Sequence, residues 1–439
     1  MIFSFVVNRW PDHRLLSKFG RVFFIVGTFH YNNITVPEQL TLQGKLIKLS
    51  LMSAEAILNS PADAEPSRRL LSLDVYRGLV MLLLASNGLG IAKAAQKFNG
   101  PFAEWITFQG GHPEWISQFN FLGLAIWDLI QPAFMFIVGV SMPFSYEKRA
   151  KLGESYGKRM RHAWTRAILL TLLGVFLQSL RKPETYWIFT NVLSQIGLGY
   201  GFLFFFVGKS LRTQFIGGLS ILVGYYILMV FFPRDIATYA GHFENGTSMP
   251  QRFDVWFLNL FPRAKPFEGH VYTTLNFVPA IVTMLMGLMA GQVLKNKNVP
   301  DRTKLMQLCA AAAACLLIGA IFGLTVCPVI KKLWTPSWVL FSGGWVIGLL
   351  ALSYWIIDVK KWDGWVFPFV IVGLNPLAMY LLSMMGRGGV TAALKRHLPD
   401  TWFMGTHGPV VLACLIALLF WLNSSGCIAR KSSLDSNRL

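Results

Sequence analysis

Asp128 lies in Trp127-Asp-Leu-Ile-Gln-Pro132, inside an apolar stretch and with no opposite charge within a helical turn of sequence. An ionisable group at membrane depth is expensive, so its partner must come from another helix or from a loop. A histidine is the economical partner, because a carboxylate fixes the imidazole tautomer and stabilises the imidazolium formed when the ring takes a proton. On physics alone a structural and a functional reading of Asp128 stand level.

Other polar groups sit in apolar surroundings. Asp74 and Arg77, three apart in Ser72-Leu-Asp-Val-Tyr-Arg-Gly78, can meet on one helix face with Ser72 as the cap. A capped, paired helix entrance is the plainer reading. A phosphate contact through the planar Arg77 guanidinium is the sharper one. Asn87 could orient a substrate or bond a neighbouring helix, and Asn276, Asn375 and Gln195 carry the same two readings. Arg166 is expected to snorkel from a span end.

The elements that must hold these groups are membrane spans. Of 439 residues, 54% are hydrophobic and only 14% charged, against about 25% charged in an ordinary soluble domain. Apolar runs long enough to cross a bilayer recur at 73–92, 121–145, 162–180, 188–208, 211–232, 272–294, 305–327, 336–357, 365–386 and 408–428. The expected fold is therefore an all-α integral membrane protein of about ten transmembrane helices, with a long loop between the fifth and sixth. Gly287 with Gly291 and Gly344 with Gly348 are small-residue pairs suited to close helix packing.

The formal charge of +19 would suggest a nucleic-acid partner in a soluble chain; on this one it first means cytoplasmic loops, and no nucleic acid is expected. Starting the first span inside places nineteen basic residues on mostly short inner segments and thirteen on longer outer ones. Both termini are thus expected in the cytoplasm, in a multi-pass inner (cell) membrane of bacterial type. His112, His242, His270, His397 and His407 then lie on outer loops, so imidazole chemistry belongs there. The outer segment 233–271 is long enough for a lid or a substrate platform. Its Trp256, Phe257 and Phe261 equally suit a helix in the membrane interface. The five cysteines, Cys309, Cys315, Cys327, Cys414 and Cys427, show no CxxC pair and no short His/Cys spacing, so neither a metal nor a disulfide framework is expected.

Residues 1–51 mix basic groups with an apolar run too short to span, and are expected to be a non-native or dispensable leader, with translation beginning at Met52. Residues 52–67 follow as a polar cytoplasmic leader, 68–429 as the membrane domain and 430–439 as a polar tail.

Several blocks occur together and in order: Ser72-Leu-Asp-Val-Tyr-Arg-Gly-Leu79, Trp127 to Gly139, Leu193-Ser-Gln-Ile-Gly197, Thr274-Leu-Asn-Phe-Val-Pro279, Lys332-Leu-Trp-Thr335 and Gly373-Leu-Asn-Pro376. Over roughly residues 68–422 the chain resembles the heparan-alpha-glucosaminide N-acetyltransferase family and its bacterial members. The resemblance implies a polytopic acetyltransferase moving acetyl from acetyl-CoA to a sugar amine on the non-cytoplasmic side. The family's motif places a histidine ten residues before the aspartate that matches Asp128, where this chain has Gln118. His112-Pro-Glu-Trp115 looks like the displaced motif, with about six residues, 116–121, inserted. Either His112 is the catalytic imidazole or the histidine has been lost.

On the first alternative His112 is a general base or transient acetyl carrier, Asp128 orients it and Asn87 helps hold the acetyl group. Arg77 would meet the phosphates of CoA. His270, Asn276, Lys332 and Asn375 would contact the acceptor, an amino sugar or glycan, with membrane lipid as surroundings and self-association left open. The rivals are a sugar or lipid transporter or flippase, an acyltransferase for a sugar hydroxyl, and an idle relative lacking its histidine.

Overall fold

The computed structural model describes residues 70–112, 122–180 and 182–436. The expected leaders at 1–51 and 52–67, and Gln118, lie outside them. Among the described residues all regular structure is helical. Seven helices are long and apolar enough to cross a membrane, or eight if the bent pair Leu71–Ser86 and Gly88–Ala95 is one span.

In chain order the helices are α1 (Leu71–Ser86), α2 (Ile91–Ala95), α3 (Pro101–Gln109), α4 (Ile130–Lys151), α5 (Tyr156–Ser179), α6 (Val192–Phe204), α7 (Leu211–Phe231) and α8 (Met249–Leu258). There follow α9 (Phe277–Lys295), α10 (Asp301–Thr325), α11 (Pro336–Ser353), α12 (Phe367–Leu374), α13 (Pro376–Leu381), α14 (Arg387–His397) and α15 (Gly408–Ser436). The site and its supports lie within the compact unit Leu71–Ser424.

Local chemistry sets the ends. Ser155, Asn191, Ser210 and Thr335 each accept a bond from the backbone N–H three residues on, capping α5, α6, α7 and α11. Ser72 does not cap α1 as the sequence suggests. The helix begins at Leu71, which draws Ser72 into the first turn, and its backbone N–H donates instead to Asp358 Oδ2 at 3.1 Å.

Close approach at glycine holds the bundle. A side chain at Gly287 or Gly291 would collide with the carbonyls of Phe136 or Val140, and one at Gly139 with that of Met284, so α4 and α9 lie backbone against backbone. Gly344 meets the Ala312 carbonyl of α10 in the same way, while Gly348 only reaches the Ala312 side chain. Lipid supplies no hydrophobic drive between helices, so such contact surfaces carry much of the association.

Four expected spans are altered; one of them, 162–180, lies in α5, which is not among the helices long and apolar enough to cross. The run 73–92 is broken, because Asn87, Gly88, Leu89 and Gly90 all have positive φ (54°, 65°, 55° and 70°) and the chain bends by 56°. The run 365–386 breaks at Asn375, whose φ of −130° and ψ of 59° lie outside the α region that Pro376 disfavours in the residue before it. α6 has thirteen residues, about 20 Å at ~1.5 Å per residue and short of a ~30 Å hydrocarbon slab. At the C-terminus α15 runs to Ser436, into the segment expected to be a polar tail.

Candidate functional site

The carboxylate at Asp128 is placed by a single helical turn, Ile126–Leu129, that leads into α4. Gln109, the last residue of α3, accepts the Ile126 N–H at 3.0 Å and so ties the segment that ends in His112 to the start of that turn. His112 Nδ1 lies 2.6 Å from Asp128 Oδ1. The Asp128 side chain is 3% exposed and that of His112 is 49% exposed, so a buried anion holds a ring whose other edge is open.

A third group completes the arrangement. Lys331 Nζ donates to the same Oδ1 at 2.8 Å, and its side chain is 9% exposed. Burial holds its ammonium below the ordinary lysine range, and the charge of Asp128 pulls part of the way back. Tyr272 lies within reach of the Asp128 charge.

Lys331 is aimed by a rigid turn between α10 and α11. Trp334, wholly buried, takes a left-handed conformation with φ of 51°. The Thr335 hydroxyl receives the Ile330 N–H and donates to the Pro328 carbonyl, which also accepts from Ser337 Oγ. Tyr225 Oη donates to the Leu333 carbonyl at 2.9 Å, and Asn276 Nδ2 to that of Lys332 at 2.9 Å. A left-handed non-glycine residue costs roughly 1–3 kcal/mol and persists where its surroundings over-determine it, as they do here.

The remaining sequence candidates are distributed as follows. Asn276 is buried, with its amide engaged by the Thr273 hydroxyl and the Lys332 carbonyl, so it braces the turn instead of facing a substrate. Gln195 likewise donates to the Phe189, Thr273 and Thr274 carbonyls. Lys332 contributes its carbonyl to the brace, and its neighbour Lys331 is the lysine that reaches Asp128. Asn87 is exposed at the break after α1, next to Gly88, which packs beside the Trp127 ring. Arg77 donates to Asp74 Oδ1, the Gly373 carbonyl and Ser141 Oγ, which matches the paired-helix reading. Asn375 marks the α12–α13 break, and Arg166 lies over the Tyr200 ring.

His270 is exposed and its Nδ1 accepts from the Tyr272 N–H at 3.1 Å. It stands on the rim of a cavity of about 420 Å³ lined also by Asn245, Gln251, Arg252 and Glu268. One wall of that cavity is α8, which covers most of the run expected to be interfacial: Gln251, Asp254 and Leu258 are buried and Trp256 is 62% exposed. Asp254 Oδ2 accepts the Thr274 N–H at 2.8 Å and fastens α8 to the start of α9. Burial pushes the Asp254 carboxyl up to about 7. Among the described residues no group of three His, Cys, Asp or Glu gathers as metal ligands would.

Lys331 and Tyr272 are the site groups that sequence reasoning missed. Asp128 visibly needed a partner, and the short segment 328–335 offered two adjacent lysines. The resemblance drew attention to Lys332, whereas the turn points Lys331 inward.

A family model described as heparan-alpha-glucosaminide N-acetyltransferase, catalytic, matches residues 107–323. Over those residues the chain is similar to this family. The heparan-alpha-glucosaminide N-acetyltransferase of Mus musculus is 22% identical over 447 aligned positions, covering 83% of this chain and 62% of the mouse protein. The chain thus spans less than two thirds of that relative's length. His112, Asp128 and Tyr272 fall inside the matched region, and Lys331 just beyond it. The similarity is to a model of an acetyltransferase catalytic region, and the apolar helices suit a multi-pass membrane protein.

Proposed function

We propose that the chain transfers acetyl from acetyl-CoA to the amine of an amino sugar or amino-sugar-bearing glycan, at a site on the non-cytoplasmic side of a bacterial-type cell membrane. Ten helices cross or enter the bilayer and both termini are cytoplasmic. The observation that carries the reading is the 2.6 Å contact between His112 and Asp128, sixteen residues apart, in the region matched by an acetyltransferase family.

Acetyl-CoA supplies the activated acyl group. The chain's own residues supply the base. With the Nδ1 proton directed to Asp128, Nε2 of His112 presents its lone pair toward the open side. There it takes the proton from the acceptor nitrogen as that nitrogen attacks, and returns a proton to the departing thiolate. Asp128 holds the ring and offsets the charge it gains. The cavity beside His270 is of a size to seat a sugar ring, with amide, guanidinium and carboxylate groups to meet hydroxyls.

The test is incubation of the purified full-length chain with labelled acetyl-CoA and a panel of amino sugars, repeated with His112→Ala and Asp128→Asn. Label on the acceptor nitrogen, lost in both variants, is expected. Vesicle flux of a sugar without consumption of acetyl-CoA would instead make the protein a transporter.

A further inference from the structure

Asp128 Oδ1 serves two donors at once, and that sharing has chemical content. Heavy atoms 2.6 Å apart, as His112 Nδ1 and Oδ1 are, must have a proton between them. An ammonium on the same oxygen at 2.8 Å means that the carboxylate is ionised, so this proton belongs to Nδ1. Nε2 is then the unprotonated nitrogen of the neutral ring. The 3.4 Å separation of Lys331 Nζ from His112 Nδ1 joins two donors, so it is a crowding of like partial charges and not a bond. If the ring took a second proton, two cations would face one carboxylate oxygen across that gap.

We propose that Lys331 is a positioning residue for His112: by sharing Asp128 Oδ1 it fixes which imidazole nitrogen carries the proton and keeps Nε2 available as a base. The inference rests on the reading of His112 as that base. It deepens the reading by giving the dyad a third member from a different part of the chain. A lysine held by a flexible loop could swing out to water. Lys331 rises instead from a turn fixed by the braces on Thr335, Leu333 and Lys332, and its side chain is only 9% exposed. Among the described residues, the charged or titratable groups facing the trio are Tyr272, ahead of α9, and Lys332, which adds positive potential at Lys331. Neither removes the competition for Oδ1.

The arrangement predicts a titration that needs no enzyme assay. The full-length protein in lipid nanodiscs is treated with diethyl pyrocarbonate, which modifies the neutral imidazole, over a pH series. Modification of His112 is then followed by peptide mass spectrometry, with the exposed His397 and His407 as internal references. In Lys331→Met and in Lys331→Gln, the second retaining a donor without a charge, the His112 midpoint is expected to rise by about one pH unit, a tenfold change in proton affinity. Lys331→Arg is expected to restore the wild-type midpoint. Asp128→Asn leaves the ring facing Lys331 alone, and its midpoint should fall below the wild-type value.

An unchanged His112 midpoint in Lys331→Met or Lys331→Gln overturns the proposal, and so does a midpoint in Asp128→Asn equal to the wild-type value. If either lysine variant fails to fold, the other variants decide by the same criteria. Because no acetyl donor or acceptor is present, a wild-type protein without acetyl transfer would remove the enzyme reading and leave this titration to stand or fall by itself. Where transfer occurs, the acid limb of kcat against pH should move with the same midpoint.

Discussion

Two clusters of buried charge sit about 20 Å apart along α4, since Ser141 follows Asp128 by thirteen residues at ~1.5 Å each. Around Ser141, Arg77 links α1, α4 and α12, its donors taken by Asp74, Ser141 and the Gly373 carbonyl, with only 16% of its side chain exposed. Around Asp128, one oxygen serves His112 and Lys331, and half of the imidazole faces outward. Both clusters satisfy the need for paired charge in a lipid setting. The first closes on itself, and the second keeps a lone pair unused. Buried charge in a helical bundle therefore marks a site only where its bonding is left incomplete on an accessible side.

Substitution can break this contrast. His112→Ala should lower kcat/KM for acetyl transfer by roughly 10²–10⁴ with little change in melting temperature, since the ring is half exposed. Asp128→Asn keeps the base but releases its tautomer and orientation, and a loss of roughly 10² is expected in the same assay.

Arg77→Met should act on the other axis, removing about 3 kcal/mol of stability by leaving Asp74 without its guanidinium while activity per folded molecule stays within about threefold. Denaturation followed in detergent micelles, beside activity normalised to folded protein, separates the two effects. A collapse of activity in a well-folded Arg77→Met would erase the distinction between the clusters. Asn276→Ala lies between them: it removes the donor to the Lys332 carbonyl, with an expected cost of about 1–3 kcal/mol and a several-fold lower kcat from a loosened Lys331.

The smallest effect concerns Asp254. Its carboxyl is raised in the fold from near 3.8 to about 7, so the folded chain binds this proton more tightly than the unfolded one. The stabilising contribution is complete below about pH 4, declines as the pH rises and is lost above about 7. Asp254→Asn should accordingly melt higher than the natural protein at pH 8, by about 2 °C, with no gain at pH 4, as read by scanning fluorimetry.

Much of the bundle was legible because long apolar runs admit few structures, and Gly287 and Gly291 pack as their spacing suggests. The breaks at Asn87 and Asn375 were harder to read. Hydropathy carries no backbone dihedral, and only Pro376 and the glycines at 88 and 90 hinted at them. For the site, scarcity of charge made Asp128 conspicuous and the outer-loop histidines limited its partners. The choice of Lys331 over Lys332 depends on the left-handed Trp334, a conformation unusual enough for tryptophan that no local pattern announces it. Asn276 was ambiguous for a related reason: an amide inside a span reads the same whether it meets a substrate or a carbonyl.

The early end of α1 bears on the passage between the two sides. Sixteen residues make a rod of about 24 Å, several ångströms less than the oily thickness of an ordinary bilayer. Where it stops, Arg387 from α14 binds the Leu84 carbonyl at 2.7 Å and that of Ala85, giving the severed helix a positive cap within the apolar layer. The break lies beside the Trp127 ring, next in sequence to the Asp128 carboxylate. On the proposed function, a donor and an acceptor approaching from opposite aqueous sides would each have only part of the way to travel before meeting at this break.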